Sequence, residues 1–339
     1  MTEVLQYPIE AWQQPGWRTA VDAWVAERLA EHGLRVTGPA EDRARPWALV
    51  SRVPTDAGPV WFKACTVGVA HEVGIYEVLQ LRAPGHVLTP LAADPAAGWL
   101  LLPDGGRTLR VAEGGRADVA AWERMLAEYA DLQRSLEAHV DELLAVGVPD
   151  ARPEAMPGIR DALLADRALM MVGEERGLTP EQRRQLLADA DGFAAACEAL
   201  AAYGIAASLQ HDDLHDANVL LPPDGTGPLR VFDWGDAVVG HPFGTLLVTL
   251  RVIANIAELP YGSPELLRLR DAYLEPWTGP YDRADLLEAA RLAVRVGGVL
   301  RADCYRRALL ESSAAGRAEF GDAVPGWLLE QRNPTPLDP

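Results

Sequence analysis

Apolar and polar residues follow two periods along the first part of the chain, one helical and one typical of strands. Apolar side chains recur at helical spacing within residues 12–32, stop at Gly33, and recur again within residues 71–79. Short apolar runs bounded by turn residues predict strands at residues 34–37, 47–53, 60–65, 87–91 and 99–102. We therefore predict a small sheet accompanied by two helices.

The rest of the chain carries mainly the helical period. Apolar residues at helical spacing predict helices within residues 119–136, 186–200, 265–274 and 285–310. Two short apolar runs, residues 219–221 and 229–232, instead flank a turn rich in Pro and Gly at residues 222–228. We expect a hairpin there, which would bring Asn218 and Asp233 to the same end.

The composition is that of a globular protein, because 339 residues with 49% apolar content can bury a sizeable core. The most apolar stretch is interrupted by Arg251 and Glu258, so no span of about 18 apolar residues predicts a membrane helix. The N-terminus lacks the basic start and apolar core of an export signal. The three cysteines are widely spaced, which suggests reduced core thiols: Cys65, Cys197 and Cys304. Together these features predict a cytoplasmic protein.

The net charge of −18 argues against nucleic acid as a partner, because phosphate backbones select basic surfaces. The acidic balance would suit a cationic substrate, although an acidic surface also serves solubility. No feature of the composition indicates a protein partner.

The segment from His211 to Asn218 carries a recognisable pattern of polar residues. The pattern His-x-Asp-x-x-x-x-Asn places Asp213 five residues before Asn218, and Asp233-Trp234-Gly235 follows the predicted hairpin. Phosphoryl transfer requires a carboxylate at the attacking hydroxyl and oxygen ligands for magnesium at the nucleotide phosphates. An Asp, an Asn and a second Asp on adjoining loops would provide these groups.

This segment resembles the aminoglycoside phosphotransferase and choline kinase group, the small-molecule branch of the protein-kinase-like fold. Members typically show His-Gly-Asp-Leu-His-Pro-x-Asn and then an Asp-Trp or Asp-Phe pair; here Asp212 replaces the Gly and Asp216 the Pro. The resemblance implies an α+β, protein-kinase-like bilobal fold. Residues 1–104 would form a small lobe with an antiparallel sheet, and residues 105–339 a larger, mainly helical catalytic and substrate-binding lobe.

The same resemblance implies roles for single residues. Asp213 would be the catalytic base, His211 would brace its loop, and Asn218 and Asp233 would bind magnesium. His215 stands where eukaryotic-type protein kinases carry a Lys, two residues after the catalytic Asp. We therefore count His215 among the catalytic candidates and expect a small hydroxylated acceptor in place of a protein.

Lys63 is the single lysine among 31 basic residues. It lies in an apolar run, the strand context in which kinases place the Lys that holds the α- and β-phosphates. Such a site requires a compact point charge on a flexible stem, which the planar guanidinium of Arg does not provide. Its acidic partner would be Glu72 or Glu77 on the next helix, and we favour Glu72. The alternative is chance retention of one Lys in a chain biased toward Arg.

The resemblance also implies contacts with the rest of the nucleotide. Residues 39–46 lie where kinases cover the phosphates, although they contain no Gly-x-Gly-x-x-Gly. The end of the strand at residues 99–102 would be the hinge whose backbone groups bind adenine, with these candidates: Leu101, Leu102, Pro103 and Asp104.

Beyond Asp-Trp-Gly the chain departs from the pattern of the family. His241 and Thr245 stand where relatives commonly have two Asp residues, the second of which bonds back to the catalytic loop. We expect a hydroxyl or an imidazole to replace that bond. Asp236, close to the metal loop, is the acidic residue that we favour for contact with the substrate.

Three functions compete on this pattern. The first is an ATP- or GTP-dependent O-phosphotransferase that uses Mg²⁺ and acts on a hydroxyl of a small molecule. An antibiotic is the favoured acceptor, ahead of an amino sugar and a choline-like alcohol. The second is a pseudokinase that binds nucleotide without turnover. The third is a metal-dependent hydrolase with His211, Asp213 and His215 as ligands, which leaves Lys63 and Asn218 unexplained.

Overall fold

The computed structural model describes residues 9–222 and 225–338. The N-terminal start, on which the export-signal prediction rests, lies outside the described residues, as do Pro223 and Asp224 of the predicted turn.

The N-terminal part contains a five-stranded antiparallel sheet in the order β1-β2-β3-β5-β4. The strands are β1 (Glu41–Arg45), β2 (Ala48–Thr55), β3 (Gly58–Cys65), β4 (Ala92–Asp94) and β5 (Trp99–Pro103). The helices of this part are α1 (Glu10–Gln13), α2 (Trp17–Glu31) and α3 (His71–Arg82).

Helix α2 covers one face of this sheet. Its buried residues pack in one core with apolar residues of β2, β3 and β5: Val21, Val25, Leu29, Leu49, Phe62 and Leu101. Because side chains alternate along a strand, burial of Phe62 against α2 directs Trp61 and Lys63 to the opposite face. That face looks toward the helical part of the molecule.

The predicted first strand, residues 34–37, is wrong. Only Val36 makes a single bridge, to Thr55, and the first strand is β1, in the segment predicted to cover the phosphates. Four of the five residues of β1 are charged and only Ala44 is buried, so this edge strand carries no apolar period. The turn that follows β1 consists of Pro46 and Trp47.

Two other predicted boundaries shift. The helix predicted over residues 12–32 is divided into α1 and α2 at Pro15 and Gly16, because Gly16 adopts a φ of 86°. The strand predicted at residues 87–91 is replaced by β4, although the Leu91 amide already donates to the Leu101 carbonyl at 2.8 Å. The other predicted strands of the sheet are confirmed within two residues at each end.

The C-terminal part is mainly helical. Its helices are α4 (Leu109–Ala112), α5 (Val119–Leu136), α6 (Val140–Ala145), α7 (Met156–Ala165), α8 (Pro180–Ala188), α9 (Ala190–Ala202), α10 (Leu246–Ile256), α11 (Pro264–Leu274), α12 (Arg283–Val296), α13 (Gly298–Ala308), α14 (Ala314–Phe320) and α15 (Ala323–Glu330). Its short strands are β6 (Asp150–Ala151), β7 (Ser208–Gln210), β8 (Val219–Leu220), β9 (Arg230–Val231) and β10 (Val238–Gly240).

The short strands place the segment that carries the polar pattern. Strands β8 and β9 form the predicted hairpin, and β7 pairs with β10 in a three-stranded sheet. The amide of Phe232 donates to the Asn218 carbonyl at 3.1 Å, so Asn218 and Asp233 lie at the same end of the hairpin, as predicted.

The helix predicted over residues 285–310 consists of two helices, α12 and α13, which meet at Gly297 and Gly298. A Cβ atom on Gly298 would lie 2.8 Å from the Trp327 carbonyl oxygen, so close packing against α15 requires glycine there. The helix predicted within residues 186–200 is likewise divided, into α8 and α9 at Asp189.

One large core joins α3 to the helical part, and the α+β class is confirmed. Buried members of this core from both parts include Tyr76, Leu79, Trp122, Leu126 and Trp234. The three cysteines are buried and free, as predicted. Among the helices in the described ranges, none has the length and apolar composition needed to cross a membrane.

Candidate active site

Lys63 lies on β3 and connects three elements. Its Nζ donates to Glu72 Oε2 on α3 and to Asp233 Oδ1 after β9, each at 2.5 Å. Burial by itself would lower the pKa of Lys63, but the charges of Asp233 and Glu72 outweigh burial and hold the pKa well above its usual range. The ammonium is therefore charged. Of the two candidate partners, Glu72 is buried at this site, whereas Glu77 is exposed on α3.

Trp61 shares the face of β3 that presents Lys63, two residues further along the strand. Its side chain is 37% exposed, and across the sheet it pairs with Arg52 and Leu102. An exposed indole offers a flat surface on which an aromatic base can stack. Trp61 carries no signal of such a role in the sequence, because a tryptophan in an apolar run is typical of a core residue.

The predicted hinge residues differ in what they can offer a base. The side chain of Leu101 is in the core under α2, and its carbonyl accepts from the Leu91 amide within the sheet. Leu102 is buried on the opposite face, the one that carries Lys63. Pro103 has no N–H and can offer only its carbonyl. Asp104 is exposed, and its Oδ1 accepts from the Gly106 amide at 3.2 Å.

His211 holds the loop that follows β7. Its Nε2 donates to the Phe232 carbonyl at 3.1 Å, and its Nδ1 accepts from the Asp213 amide at 3.2 Å. Burial lowers the pKa of His211, which agrees with a neutral ring that donates through one nitrogen and accepts through the other. His211 thus connects the Asp213 loop to the segment before Asp233, and both ring nitrogens are engaged.

Asn218 closes the same loop. Its Nδ2 donates to the Asp213 carbonyl at 3.0 Å and lies 3.4 Å from Asp213 Oδ2. These bonds use the amide nitrogen and leave the amide oxygen, which is the atom that could bind magnesium. Asp233 similarly pairs with Lys63 through Oδ1 and is 47% exposed, so a carboxylate oxygen remains for a metal. The donor set of these two residues therefore fits magnesium.

The backbone redirects the chain at Asp233. This residue has a φ of 65°, in the left-handed region that Asp tolerates better than most residues. Two residues later, a Cβ atom on Gly235 would lie 3.2 Å from Val69 Cβ and 3.3 Å from Glu72 Oε2. The glycine therefore allows this loop to approach the ion pair of Lys63, while Trp234 between them is fully buried.

His215 lies between Asp213 and a second ion pair. Its Nε2 is 3.5 Å from Asp213 Oδ2, and its Nδ1 accepts from the Ala217 amide at 3.1 Å. Asp216 is buried and pairs with Arg110 of α4 at 2.7 Å. Asp216, which replaces the Pro of the family pattern, is therefore engaged by Arg110 and does not face solvent.

The bond back to the loop of Asp213 comes from Thr249, which no motif in the sequence indicates. The Thr249 hydroxyl on α10 donates to the Leu214 carbonyl at 2.8 Å. His241, one of the two expected positions, accepts from the Phe243 amide within its own turn. A hydroxyl does brace the loop, but it lies one helical turn after Thr245.

Asp236 is paired with Arg301 of α13 at 3.0 Å and is 24% exposed. Burial would raise the pKa of Asp236, but Arg301 and neighbouring donors lower it to about 2. Asp236, the favoured substrate contact, therefore lies at the site with its charge already balanced by Arg301. No motif in the sequence indicates Arg301, because it lies within ordinary helical spacing.

These residues surround a cavity of about 140 Å³ between the two parts of the molecule. Its lining includes Lys63, Asp213, Asp233, Asp236, Arg301, Trp47 and Tyr305. Trp47, in the turn after β1, packs edge-on against Tyr305 and Phe320, with ring centroids 6.5 and 5.3 Å apart. The sequence predicts Trp47 as the start of a strand. Its place at the cavity becomes visible only through its contacts with the C-terminal helices.

The hydrolase alternative is not supported by this geometry. Both nitrogens of His211 are bound within the protein, so His211 cannot join Asp213 and His215 as a metal ligand. Within the described ranges, no group of three or more His, Cys, Asp or Glu side chains could hold a metal ion.

A model of the phosphotransferase enzyme family matches residues 66–287 of the sequence, which is more than half of the chain. No protein of curated function matches it.

Several solved structures share the fold at low identity. Macrolide 2'-phosphotransferase type I has a TM-score of 0.56 and 18% identity, with 89% of this chain and 97% of that chain covered. A choline/ethanolamine kinase family protein from Mesorhizobium loti has a TM-score of 0.56 and 16% identity, with 92% and 95% covered. The GDP and kanamycin complex of APH(2")-IIia has a TM-score of 0.55 and 14% identity, with 92% and 98% covered. The likeness confirms the predicted protein-kinase-like fold.

Proposed function

The chain belongs to the phosphotransferase enzyme family, and we propose that it moves the γ-phosphoryl group of ATP or GTP to a hydroxyl of a small polar molecule. The observation that carries this proposal is the meeting of Lys63, Asp213 and Asp233 in one cavity, with Asn218 bonded to Asp213. A carboxylate for the acceptor, a cation for the phosphates and two oxygen ligands are the groups that phosphoryl transfer requires.

Asp213 is the proposed base. Its carboxylate is 31% exposed at the cavity, so an acceptor hydroxyl can reach it, and Asn218 and His215 hold it from one side. Lys63 would hold the α- and β-phosphates, and Glu72 keeps its ammonium in place. His215 orients Asp213 in this scheme.

Asn218 and Asp233 would hold magnesium, which supplies positive charge at the phosphate oxygens when it is bound. Two protein ligands are too few for a closed cage, and magnesium prefers to keep several waters or phosphate oxygens. We therefore expect the ion to arrive with the nucleotide and to bind the protein weakly without it.

The nucleotide base would lie between Trp61 and the segment from Leu102 to Asp104. Trp61 supplies an exposed ring, and Pro103 supplies a carbonyl at the end of β5. The boundary between the two proposed lobes follows this segment, after Asp104. A GDP complex of one similar structure is consistent with a guanine nucleotide as an alternative to ATP.

An antibiotic is the acceptor that we favour, ahead of an amino sugar and a choline-like alcohol. The similar structures include a macrolide phosphotransferase, a kanamycin complex and a choline/ethanolamine kinase family protein. Three carboxylates line the cavity, which suits an acceptor with cationic or hydroxyl groups. Antibiotic resistance would follow from such an activity.

The test is a nucleotide-consumption screen with ATP and GTP across antibiotics, amino sugars and amino alcohols, with mass spectrometry of each mixture. We expect one small molecule to gain one phosphoryl group. Asp213→Asn should slow the gain by about 10²–10⁴-fold, the typical cost in rate of losing a general base. Asp161→Asn, an exposed residue of α7, is the matched control and should retain activity. Labelled phosphate found only on added proteins, or full activity of Asp213→Asn, would contradict the proposal.

A further inference from the structure

Arg301 is a buried arginine on α13 that contacts the catalytic loop. Its side chain is only 5% exposed. Nη1 donates to the Asp212 carbonyl at 2.9 Å and to the Asp236 carboxylate at 3.0 Å, and Nη2 lies 3.6 Å from Asp213 Oδ1. One guanidinium thus contacts three groups of the site: the Asp212 carbonyl, the carboxylate of the proposed base Asp213, and the Asp236 carboxylate.

The orientation of this guanidinium is set by aromatic rings. Its central carbon lies 5.4 Å from the centre of the Tyr305 ring and 5.7 Å from the centre of the Trp327 ring. Cation–π contacts of this kind are strongest where water is excluded. Tyr305 follows Arg301 by one helical turn on α13, and Trp327 comes from α15, so two helices fix the plane of the guanidinium.

The Asp213 carboxylate is consequently held from two sides. Oδ1 faces Arg301, whereas Oδ2 faces Asn218 at 3.4 Å and His215 at 3.5 Å. The other cation in the lining of the cavity, Lys63, is engaged by Glu72 and Asp233. Among the described residues of the lining, Arg301 is therefore the cation available to Asp213.

We propose that Arg301 is a positioning residue for phosphoryl transfer, which acts by holding the Asp213 carboxylate where the acceptor hydroxyl arrives. This inference rests on the proposed function. A displacement of about 1 Å in a reacting group can cost about 10²-fold in rate. Loss of Arg301 should therefore lower kcat without weakening nucleotide binding, because Lys63 and the proposed site for the nucleobase lie on other elements.

The experiment compares Arg301→Met with Arg307→Met in the full-length protein. Arg307 is a matched control, since it is also buried on α13 but bonds to Asp303 and to the Gly68 carbonyl. Release of nucleotide diphosphate is measured with kanamycin, a macrolide and choline, and with water alone as the acceptor. We expect Arg301→Met to lose about 10²-fold in kcat with nucleotide KM unchanged. Arg307→Met should keep kcat, even where thermal unfolding shows lost stability.

Two further arms separate positioning from a structural role. Guanidinium ions at concentrations that leave the wild type folded should restore part of the activity of Arg301→Ala, because the side chain borders the cavity. In the Asp213→Asn background, Arg301→Met should cost little, since a residue that acts through Asp213 has nothing left to position.

The possible failures are distinguishable. Equal loss of kcat in both arginine variants, or an undiminished effect of Arg301→Met in the Asp213→Asn background, would overturn the role of Arg301 while leaving the proposed function in place. Full activity of Asp213→Asn, or a wild type without turnover on any of the acceptors or water, would overturn the proposed function and this inference with it.

Discussion

Charge is the dominant feature of the site at the scale of single residues. Among the described residues, five carboxylates share two cations, Lys63 and Arg301, through direct ion pairs or short contacts: Glu72, Asp212, Asp213, Asp233 and Asp236. Like charges packed this closely repel one another, and a divalent cation reduces that repulsion. The excess of negative charge therefore agrees with a site that works with a metal ion.

Lys63→Arg should impair catalysis although the charge is kept. The planar guanidinium cannot place one point charge between Glu72 and Asp233 as the ammonium does at 2.5 Å from each. We expect kcat to fall by about 10²-fold, as for loss of one positioned donor to developing charge. Arg52→Lys on the adjacent strand makes the reverse exchange and should leave kcat unchanged. Unchanged kcat and nucleotide KM in Lys63→Arg would mean that Lys63 is incidental.

Asp212 should make stability depend on pH. Burial raises the pKa of Asp212 to about 7, above a value of about 3.9 in an unfolded chain. Folding therefore takes up a proton between about pH 4 and pH 7, so the stability from this group falls as pH rises through that window and is constant above it. Asp212→Asn removes this titration, so its free energy of unfolding relative to wild type should rise from pH 5 to pH 8, by up to about 3 kcal/mol.

Urea unfolding of both proteins at each pH unit from 5 to 8 measures this difference. The exposed Asp161→Asn serves as the control and should give a difference that does not change with pH. A constant difference for Asp212→Asn as well would show that the carboxyl ionises in the folded protein as it does in the unfolded chain.

At the scale of elements, strand β3 decides which of its side chains face the cavity. Alternation along β3 directs Trp61 and Lys63 to the cavity face and buries Phe62 and Ala64 under α2. Pairing of β3 with β5 places Lys63 beside Leu100 and Trp61 beside Leu102, so the predicted hinge continues from the same surface. A nucleobase that stacks on Trp61 would therefore have its edge next to the end of β5.

Trp61→Ala should raise the nucleotide KM. Base–aromatic stacking contributes about 1–3 kcal/mol, which corresponds to roughly 10- to 100-fold in affinity. Trp61→Phe keeps an aromatic ring and should retain most of the affinity. Leu81→Ala removes an exposed apolar side chain from α3 and should have no effect. Isothermal titration with ATP and GTP measures the affinities, and equal binding by wild type and Trp61→Ala would exclude Trp61 from the base site.

At the scale of the whole molecule, the two parts meet on both sides of the cavity. The chain itself connects them after β5, where Gly105 packs against Leu220. On the other side, the Val67 amide donates to Glu311 at 2.8 Å and the Gly68 carbonyl accepts from Arg307 at 3.2 Å. The C-terminal helices thus hold the β3–α3 connection next to the proposed catalytic residues.

Gly68→Ala should disturb this contact. A Cβ atom there would lie 1.9 Å from the Arg307 carbonyl oxygen, which is backbone and cannot simply rotate away. We expect a loss of about 1–3 kcal/mol in the free energy of unfolding, the usual cost of overpacking. Gly158→Ala on α7 is the control, since nothing lies within 4 Å of its added methyl group. Thermal unfolding measures both, and equal melting temperatures would mean that the two parts adjust without cost.

The family, the α+β fold and the class of enzyme, a phosphotransferase, are confirmed. The antibiotic acceptor, the cytoplasmic location, the magnesium ligands and the boundary after Asp104 stay predictions. This division follows the strength of the motifs, because residues 211–235 carry a pattern common to the family, whereas no motif in the sequence identifies the acceptor.

Local signals in the sequence are enough to identify part of the candidate site. Asp213, Asn218 and Asp233 are identified by spacing on one loop and hairpin, and Lys63 by its isolation among arginines. Tertiary structure decided what depends on separation in space. Lys63 meets Asp233 across 170 residues, and Arg301 donates to the Asp212 carbonyl across 89 residues. Local periodicity reports which face of an element is buried, but the partner of a buried charge is chosen by the packing of distant elements.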